Sequence, residues 1–391
     1  MKILLHDYGG YPFTHQLAEA LACRGHVVQY CFSDTTQSIK RSSSNCSSAN
    51  LSVTGIKLCR PFKKYSFLQR RSGEIEHGKQ LAKQINLFRP DVVISANTPL
   101  DAQRSALLTS LKVNAQFFFW VQDVISVATR KMLSKKIPVA GEVIGQYYSW
   151  VERQLVRQSD QVILISDDFL PLMSHWGVRK EQITIIPNWA PLEEIPVYPR
   201  QNQWTAEHDL SDQFVFMYSG ILGLKHNPVM FIHLAQAFES FPDVKIVIVA
   251  EGAAADLLKE QKEKLHLNNL VLLPYQPAEI YPQMLGSADV LMSILSQDAG
   301  AYSVPSKVLS YMCASRPLLL AVPVENLAAR LVIQNEAGLV CPPSDTAQWV
   351  ENAKSLYLGR QSNISMGVNA RKYAENHFNI EQITTKFESL F

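Results

Sequence analysis

Ile3-Leu4-Leu5, then Asp7-Tyr8-Gly9-Gly10-Tyr11-Pro12, then Leu17, Ala18, Leu21 and Ala22, then Val27-Val28-Gln29-Tyr30-Cys31-Phe32: this opening stretch decides the fold. A short apolar strand runs into a glycine turn. Residues 17, 18, 21 and 22 share one face at the helical period. Arg24-Gly25-His26 closes that helix with a cation in the last turn and a glycine beyond it. A second apolar strand follows. Strand, turn, helix and strand in this order make a βαβ unit, because parallel strands need a crossover between them.

The same pattern recurs outward along the chain. Asp91 to Ser95, Gln116 to Val121, Gln161 to Ser166 and Ile183 to Ile186 read as strands separated by helical stretches. Runs of this kind, apolar on both faces, imply a parallel sheet covered on both sides. The period stops at Asn188-Trp189-Ala190-Pro191 through Asn202, which reads as a linker. It restarts with Phe214 to Tyr218, Val244 to Ala250, Leu270 to Leu273, Val290 to Ile294, Leu318 to Val322 and Gly338 to Val340. The expected fold class is therefore α/β: two Rossmann-like, doubly wound parallel-sheet domains facing across a cleft. The expected boundaries are 1–190 for the first domain, 191–203 for the linker and 204–375 for the second. A C-terminal helix, 376–391, is expected to pack back on the first domain. In such sheets ligands sit beyond the carboxyl ends of the strands.

The bulk composition fits two cores. The chain has 391 residues, 47% of them hydrophobic and only 18% charged, which argues against disorder. The net charge of +2 is unevenly placed: residues 1–194 carry 23 Lys and Arg against 16 Asp and Glu, and the remainder is acidic. A basic first half suits an anionic partner, and ordinary surface scatter suits the numbers equally well. The six cysteines show no zinc spacing and read as reduced thiols. No run is long and apolar enough to cross a bilayer, so any membrane contact is expected to be peripheral and the location cytoplasmic, at the inner membrane face. The G-x-G-x-x-G fingerprint is absent, which counts against a dehydrogenase.

Three turns carry candidate chemistry. Asp7-Tyr8-Gly9-Gly10 lies between a strand and a helix, where glycines let a backbone approach a phosphate; a tight turn without ligand is the equal alternative. In Tyr218-Ser219-Gly220-Ile221-Leu222-Gly223-Leu224-Lys225, a lysine stands before a helix start and suits a diphosphate. In Tyr302-Ser303-Val304-Pro305-Ser306-Lys307, Pro305 and Ser306 suit a helix start. Lys307 in that first turn opposes the helix dipole, a conflict that an anionic ligand relieves.

Taken with Leu17 to Val28, Ile183 to Asn188, Ser287-Ala288-Asp289-Val290, Tyr311 to Pro317 and Gly338 to Asp345, these segments resemble the GT-B glycosyltransferases of family 4 over nearly the whole chain. The nearest subgroup is similar to bacterial surface-polysaccharide enzymes, such as the colanic acid and aminosugar transferases. The resemblance implies a retaining transferase that moves a sugar from a nucleotide sugar, UDP-linked by subgroup likeness, to a glycan or polyprenyl-diphosphate-linked acceptor. No cofactor, no metal and no nucleic acid are implied, and no D-x-D pair is present. The donor residues implied are Gly9, Gly10, Gly220, Lys225, Glu251, Gln276, Tyr302, Ser303, Pro305, Ser306, Lys307 and Ser310. Asp123 and Gln122 are implied as catalytic residues, and Tyr8, Tyr11 and Asn97 as acceptor contacts. A capping role for Asp123 is the alternative.

The sequence also departs from the family pattern. The Glu-x7-Glu signature falls on Tyr302 and Ser310, the usual Arg after the strand glycine falls on Ile221, and the acceptor-side His falls near Gln122. A sugar-nucleotide epimerase of the same architecture and a nucleotide-sugar-binding subunit without activity are the competing readings. An epimerase needs acid/base carboxylates that positions 302 and 310 lack. Lys57 to Arg71 and Ala128 to Ile137 mix basic and aromatic or apolar residues; they suit either an anionic bilayer or a solvated surface.

Overall fold

A computed structural model of the chain describes residues 1–34, 49–58, 67–297, 300 and 305–391, without the side chains of residues 67, 68, 135, 136 and 225. The described residues form two compact units, Met1–Asn188 with Ile380–Phe391, and Trp189–Asn379.

In unit 1, strands β1 (Lys2–Asp7), β2 (Val27–Ser33), β3 (Leu51–Ile56), β4 (Val92–Ala96), β5 (Gln116–Val121), β6 (Gln161–Leu164) and β7 (Ile183–Ile185) form one sheet in the order β3-β2-β1-β4-β5-β6-β7. Every pairing is parallel, with Leu5 set between Tyr30 and Ile94. The order reverses between β1 and β4, which makes the carboxyl ends of those two strands the switch point where such sheets bind ligands. The central strands are buried throughout, from Ile3-Leu4-Leu5 to Phe117-Phe118-Phe119-Trp120, as a sheet covered on both faces requires.

The last helix, Ile380–Glu388, belongs to this unit. Phe387 is fully buried and meets the edge of Trp120 at a centroid distance of 4.9 Å. The Arg24 guanidinium donates to Glu381 at 2.6 Å and to Glu388 at 2.5 Å. His26 Nε2 lies 2.9 Å from the Glu388 carboxylate. The cation that ends the first helix is thus a clasp for the end of the chain.

In unit 2, strands β8 (Phe214–Ser219), β9 (Val244–Val249), β10 (Leu270–Leu273), β11 (Val290–Ile294), β12 (Leu318–Ala321) and β13 (Gly338–Cys341) lie in the order β10-β9-β8-β11-β12-β13, again all parallel. The switch point falls between β8 and β11. The core on one face is built from Phe216, Tyr218, Phe231, Phe238 and Trp349.

Two expectations need adjustment. Strand β3 was not read from the sequence: it is an edge strand with burial alternating irregularly, so it shows no apolar run. Among the cysteines, Cys31, Cys313 and Cys341 are buried free thiols, but Cys23 is in a disulfide and departs from the reduced set.

Candidate active site

At the switch point of unit 2, β8 ends at Ser219 and the chain turns at Gly220 with φ 120°, a left-handed conformation that side chains rarely adopt. Two tyrosines fix this turn. Tyr311 accepts the Ser219 amide at 2.8 Å and donates its hydroxyl to the Ser219 carbonyl at 3.0 Å. Tyr218 donates to the Ile221 carbonyl at 2.7 Å. Helix Ser306–Cys313 starts beside it, with Val308, Leu309, Tyr311, Met312 and Cys313 buried beneath. That packing presents Lys307 to the turn: a Cβ added to Gly220 would lie 3.3 Å from its Nζ.

The Lys307 ammonium sits over the Tyr218 ring, 3.6 Å from the centroid. Its contact with the Ile221 carbonyl is long, at 3.5 Å. No carboxylate pairs with it among the described residues. Burial lowers its pKa to about 7, from the usual lysine value. A partly buried cation against a ring face, in the first turn of a helix, has the chemistry to meet an anion. Ser306 is exposed at the helix start and Pro305 precedes it.

Other implied donor residues are placed as follows. The Tyr281 hydroxyl hydrogen-bonds the Ser310 side chain. The exposed Glu251 carboxylate accepts the Tyr275 amide at 3.0 Å. Gln276 accepts the Trp204 indole N–H at 3.3 Å and donates to the Pro274 carbonyl. Tyr302 and Ser303 lie outside the described residues. So does the Lys225 side chain, whose backbone belongs to the single turn Leu224–His226.

At the switch point of unit 1, Asp7 is fully buried and turned inward. Its carboxylate accepts the Gly10 amide, the Tyr11 amide at 3.2 Å, the Thr14 hydroxyl and the Tyr30 hydroxyl at 2.6 Å. Burial raises its pKa and these bonds oppose the rise. The Gly9–Gly10 turn is thus shaped by an acid beneath it. Above the turn lies a cavity of about 330 Å³, whose lining includes Tyr8, Gly9, Tyr11, Asn97, Arg70, Arg71, Thr98, Ile125, Met132 and Tyr148. Tyr11 hydrogen-bonds Asn97 and feels the charge of Asp123. The structure therefore brings together Tyr8, Tyr11 and Asn97, as the acceptor reading needs.

Gln122 and Asn188 exchange amide hydrogen bonds, one of them 3.1 Å long, which ties the end of β5 to the end of unit 1's main segment. Asp123 lies in the next turn, half-buried. Beyond it, Glu152 accepts the Ile125 amide at 3.1 Å and the Ser126 amide at 2.9 Å. It thereby caps helix Ile125–Lys136 from a neighbouring helix. Burial first, and the charge of Asp123 last, push its pKa to about 7. Beneath Tyr8, His6 and His77 share a hydrogen bond between their Nε2 atoms at 2.8 Å, and burial holds both well below the usual histidine pKa.

Residues 95–101, which end a strand, are expected from the sequence to line a cleft, and Asn97, Thr98, Pro99 and Leu100 do line the cavity; Arg70, Arg71 and Tyr148 as cavity residues and Glu152 as a cap were not read from the sequence. The two arginines lie in the basic stretch that had been noted. Tyr148 and Glu152 sit on the buried side of a long helix, and nothing local marks them.

Two tandem α/β units, each with an all-parallel sheet that reverses its strand order at one switch point, have the architecture of the GT-B class. Comparison with known proteins makes the assignment specific. Residues 9–189 match the glycosyl transferase 4-like domain and residues 200–373 match the glycosyl transferases group 1 domain. A protein of Pseudomonas aeruginosa named as a glycosyltransferase, WbjE, is 21% identical over 73% of this chain and 72% of its own length. WcaI of Escherichia coli, named for colanic acid biosynthesis, is 23% identical over 63% of this chain and 60% of its own length. The crystal structure of Anabaena HepE with UDP-glucose superposes over 100% of this chain and 98% of that one, with a TM-score of 0.72 at 15% identity, a likeness of fold. The chain belongs to the family 4 GT-B glycosyltransferases and is a transferase.

Proposed function

We propose that the chain transfers a sugar from a UDP-sugar to a glycan or polyprenyl-diphosphate-linked acceptor in surface-polysaccharide assembly, with retention at the anomeric carbon. The observation that carries this reading is Lys307, a partly buried ammonium at the Gly220 turn with no carboxylate partner among the described residues. A diphosphate there supplies the missing anion. The similarity to a protein named for colanic acid biosynthesis and to a fold crystallised with UDP-glucose supports the direction.

In this reading, Lys307 and the amides of helix Ser306–Cys313 neutralise the charge that develops on the leaving diphosphate, the role a divalent ion has elsewhere. Retention then follows from a front-face step through an oxocarbenium-like state. The leaving phosphate oxygen itself takes the acceptor proton, and the protein positions the two reactants. Asp123 orients the acceptor hydroxyl beside the cavity of Tyr8, Tyr11 and Asn97.

The test is a donor panel read by thermal shift, then by transfer, with the product anomer assigned by NMR and EDTA present in one arm. A UDP-sugar should stabilise the protein, and transfer should survive EDTA. Inversion, or activity abolished by EDTA, would overturn the corresponding step. Asp123→Asn should lower kcat by roughly a hundredfold with UDP affinity unchanged; normal turnover removes Asp123 from the site.

A further inference from the structure

We propose that Tyr11 and Asn97 act as one specificity element in unit 1, that Gly9 serves to seat the Tyr11 ring, and that the group received there is an uncharged sugar ring of the acceptor. This rests on the transferase reading above and concerns its acceptor side alone. In the first turn Gly10 takes a left-handed φ of 68°, and Gly9 does not. What Gly9 makes room for is a ring: a Cβ there would stand 2.8 Å from Tyr11 Cζ and 2.9 Å from Cδ2, inside contact distance. The same ring stacks on Phe13 at a centroid distance of 5.7 Å, and Phe13 is buried against Trp120. The Tyr11 amide donates to the Asp7 carboxylate at 3.2 Å. The core beneath therefore sets the ring, while Tyr11 stays 36% exposed and lines the cavity.

Asn97 is set as firmly. It follows the last residue of β4 with φ 43°, a left-handed conformation that asparagine tolerates better than most side chains. The next residue, Thr98, is buried and closes this bend by donating its hydroxyl to the Ala96 carbonyl at 2.6 Å. Tyr11 comes after β1 and Asn97 after β4, so the hydrogen bond they share spans the two strand ends of the switch point. The pair stands where a sheet of this kind receives its ligand.

Charge selects the ligand class. Asp7 lies buried beneath the pair, and Tyr11 feels the charges of Asp7 and Asp123. On the cavity wall Arg70 Nε donates to Glu74 at 2.7 Å and Arg71 Nε donates to Asp101 at 3.2 Å, so each guanidinium is matched by a carboxylate. A phosphate finds no unmatched cation among these residues. A sugar ring offers C–H surface to the tyrosine and hydroxyls to the phenol and the amide.

A double-mutant cycle on Gly9→Ala and Tyr11→Ala tests this, read in thermal unfolding, in UDP affinity and in acceptor KM with octyl pyranosides as probes. Gly9→Ala displaces the ring, so it should lower the Tm and raise the acceptor KM roughly fivefold, with UDP affinity unchanged. In the Tyr11→Ala background the same change should cost nothing further, because the added methyl then has room. Tyr11→Phe keeps the ring and loses the bond to Asn97; it should raise KM roughly threefold and flatten the preference among pyranosides that differ at one hydroxyl. Octyl phosphate should not compete with the pyranosides. Additive effects of Gly9→Ala and Tyr11→Ala overturn the proposal, as does a UDP affinity that falls in Gly9→Ala, which would make the turn a donor contact. Competition by octyl phosphate overturns the ligand class. The Tm arm needs neither donor nor acceptor, so a failure of transfer leaves it readable and counts against the transferase reading instead.

Discussion

The two sheets end in the same topological place and use it in opposite ways. At the end of β1, Asp7 is surrounded by four donors that belong to its own unit. At the end of β8, Lys307 faces a ring and one distant carbonyl. One charge is consumed by the fold, and the other is left for a ligand. A switch point is thus an opportunity that side-chain chemistry takes up or closes. On the proposed reading the diphosphate belongs at the Gly220 turn of unit 2, where the Lys307 ammonium stands, while the Asp7 carboxylate beneath the Gly9–Gly10 turn opposes an anion there.

The largest expected effect breaks this contrast from the closed side. Asp7→Asn replaces one acceptor oxygen by an N–H donor, which then faces either the Gly10 amide at the Oδ1 position or the Thr14 and Tyr30 hydroxyls at the Oδ2 position. Leaving buried donors unmatched should cost about 3 kcal/mol in thermal or denaturant unfolding of unit 1, with UDP affinity unchanged. A UDP affinity that falls with it would place the diphosphate at the Gly9–Gly10 turn instead.

The open side should respond in reverse. Lys307→Ala should leave stability unchanged or raise it, because a partly desolvated charge is removed, and should weaken UDP binding roughly tenfold, below the loss for a fully buried charge partner. Wild-type binding should also depend on pH. Free Lys307, with its pKa lowered to about 7, is mostly neutral above that pH. Bound diphosphate holds it protonated. Binding above pH 7 therefore takes up a proton and affinity falls as pH rises, which calorimetry in buffers of differing ionisation enthalpy can check. In Lys307→Ala both the uptake and the slope should vanish.

Glu152 sharpens the contrast as a second inward acid of unit 1. Its pKa is raised to about 7 by burial, while in the unfolded chain it is near 4.5. Between those values the folded protein holds a proton that the unfolded chain has lost. This group's contribution therefore favours the folded state most at low pH and declines as pH rises to about 7. Glu152→Gln should remove on the order of 2 kcal/mol of that dependence, seen as a flatter profile of unfolding free energy against pH.

Much of this was legible in the sequence. Strands such as Phe117 to Val121 and Ile246 to Val249 announce themselves because both faces are buried and the apolar run is unbroken. The Lys307 conflict with its helix dipole was visible for a local reason, the placement of a cation in a first turn. The network of Asp7 with Tyr30, and of Glu152 with the amides of Ile125 and Ser126, was not: partners 23 and 26 or 27 residues apart meet only after the sheet and helices assemble. Strand β3 was missed because an edge strand need not alternate or stay apolar.

The smallest effect concerns Ser310, where the family pattern keeps a glutamate that reads the ribose. Its side chain is bonded to Tyr281, whose hydroxyl burial keeps far above its ordinary pKa and therefore neutral. Ser310→Ala leaves that buried hydroxyl short of one partner and should cost about 1 kcal/mol of unit 2 stability. If the bond to Tyr281 is the main use of this hydroxyl, UDP affinity should change less than roughly twofold, within what one weak neutral hydrogen bond supplies. A much larger loss in equilibrium UDP binding, with stability intact, would show that the serine reads the nucleotide in place of the glutamate. Unit 2 would then hold its ligand by both sugar and phosphate, and Lys307 would be one contact of a distributed site.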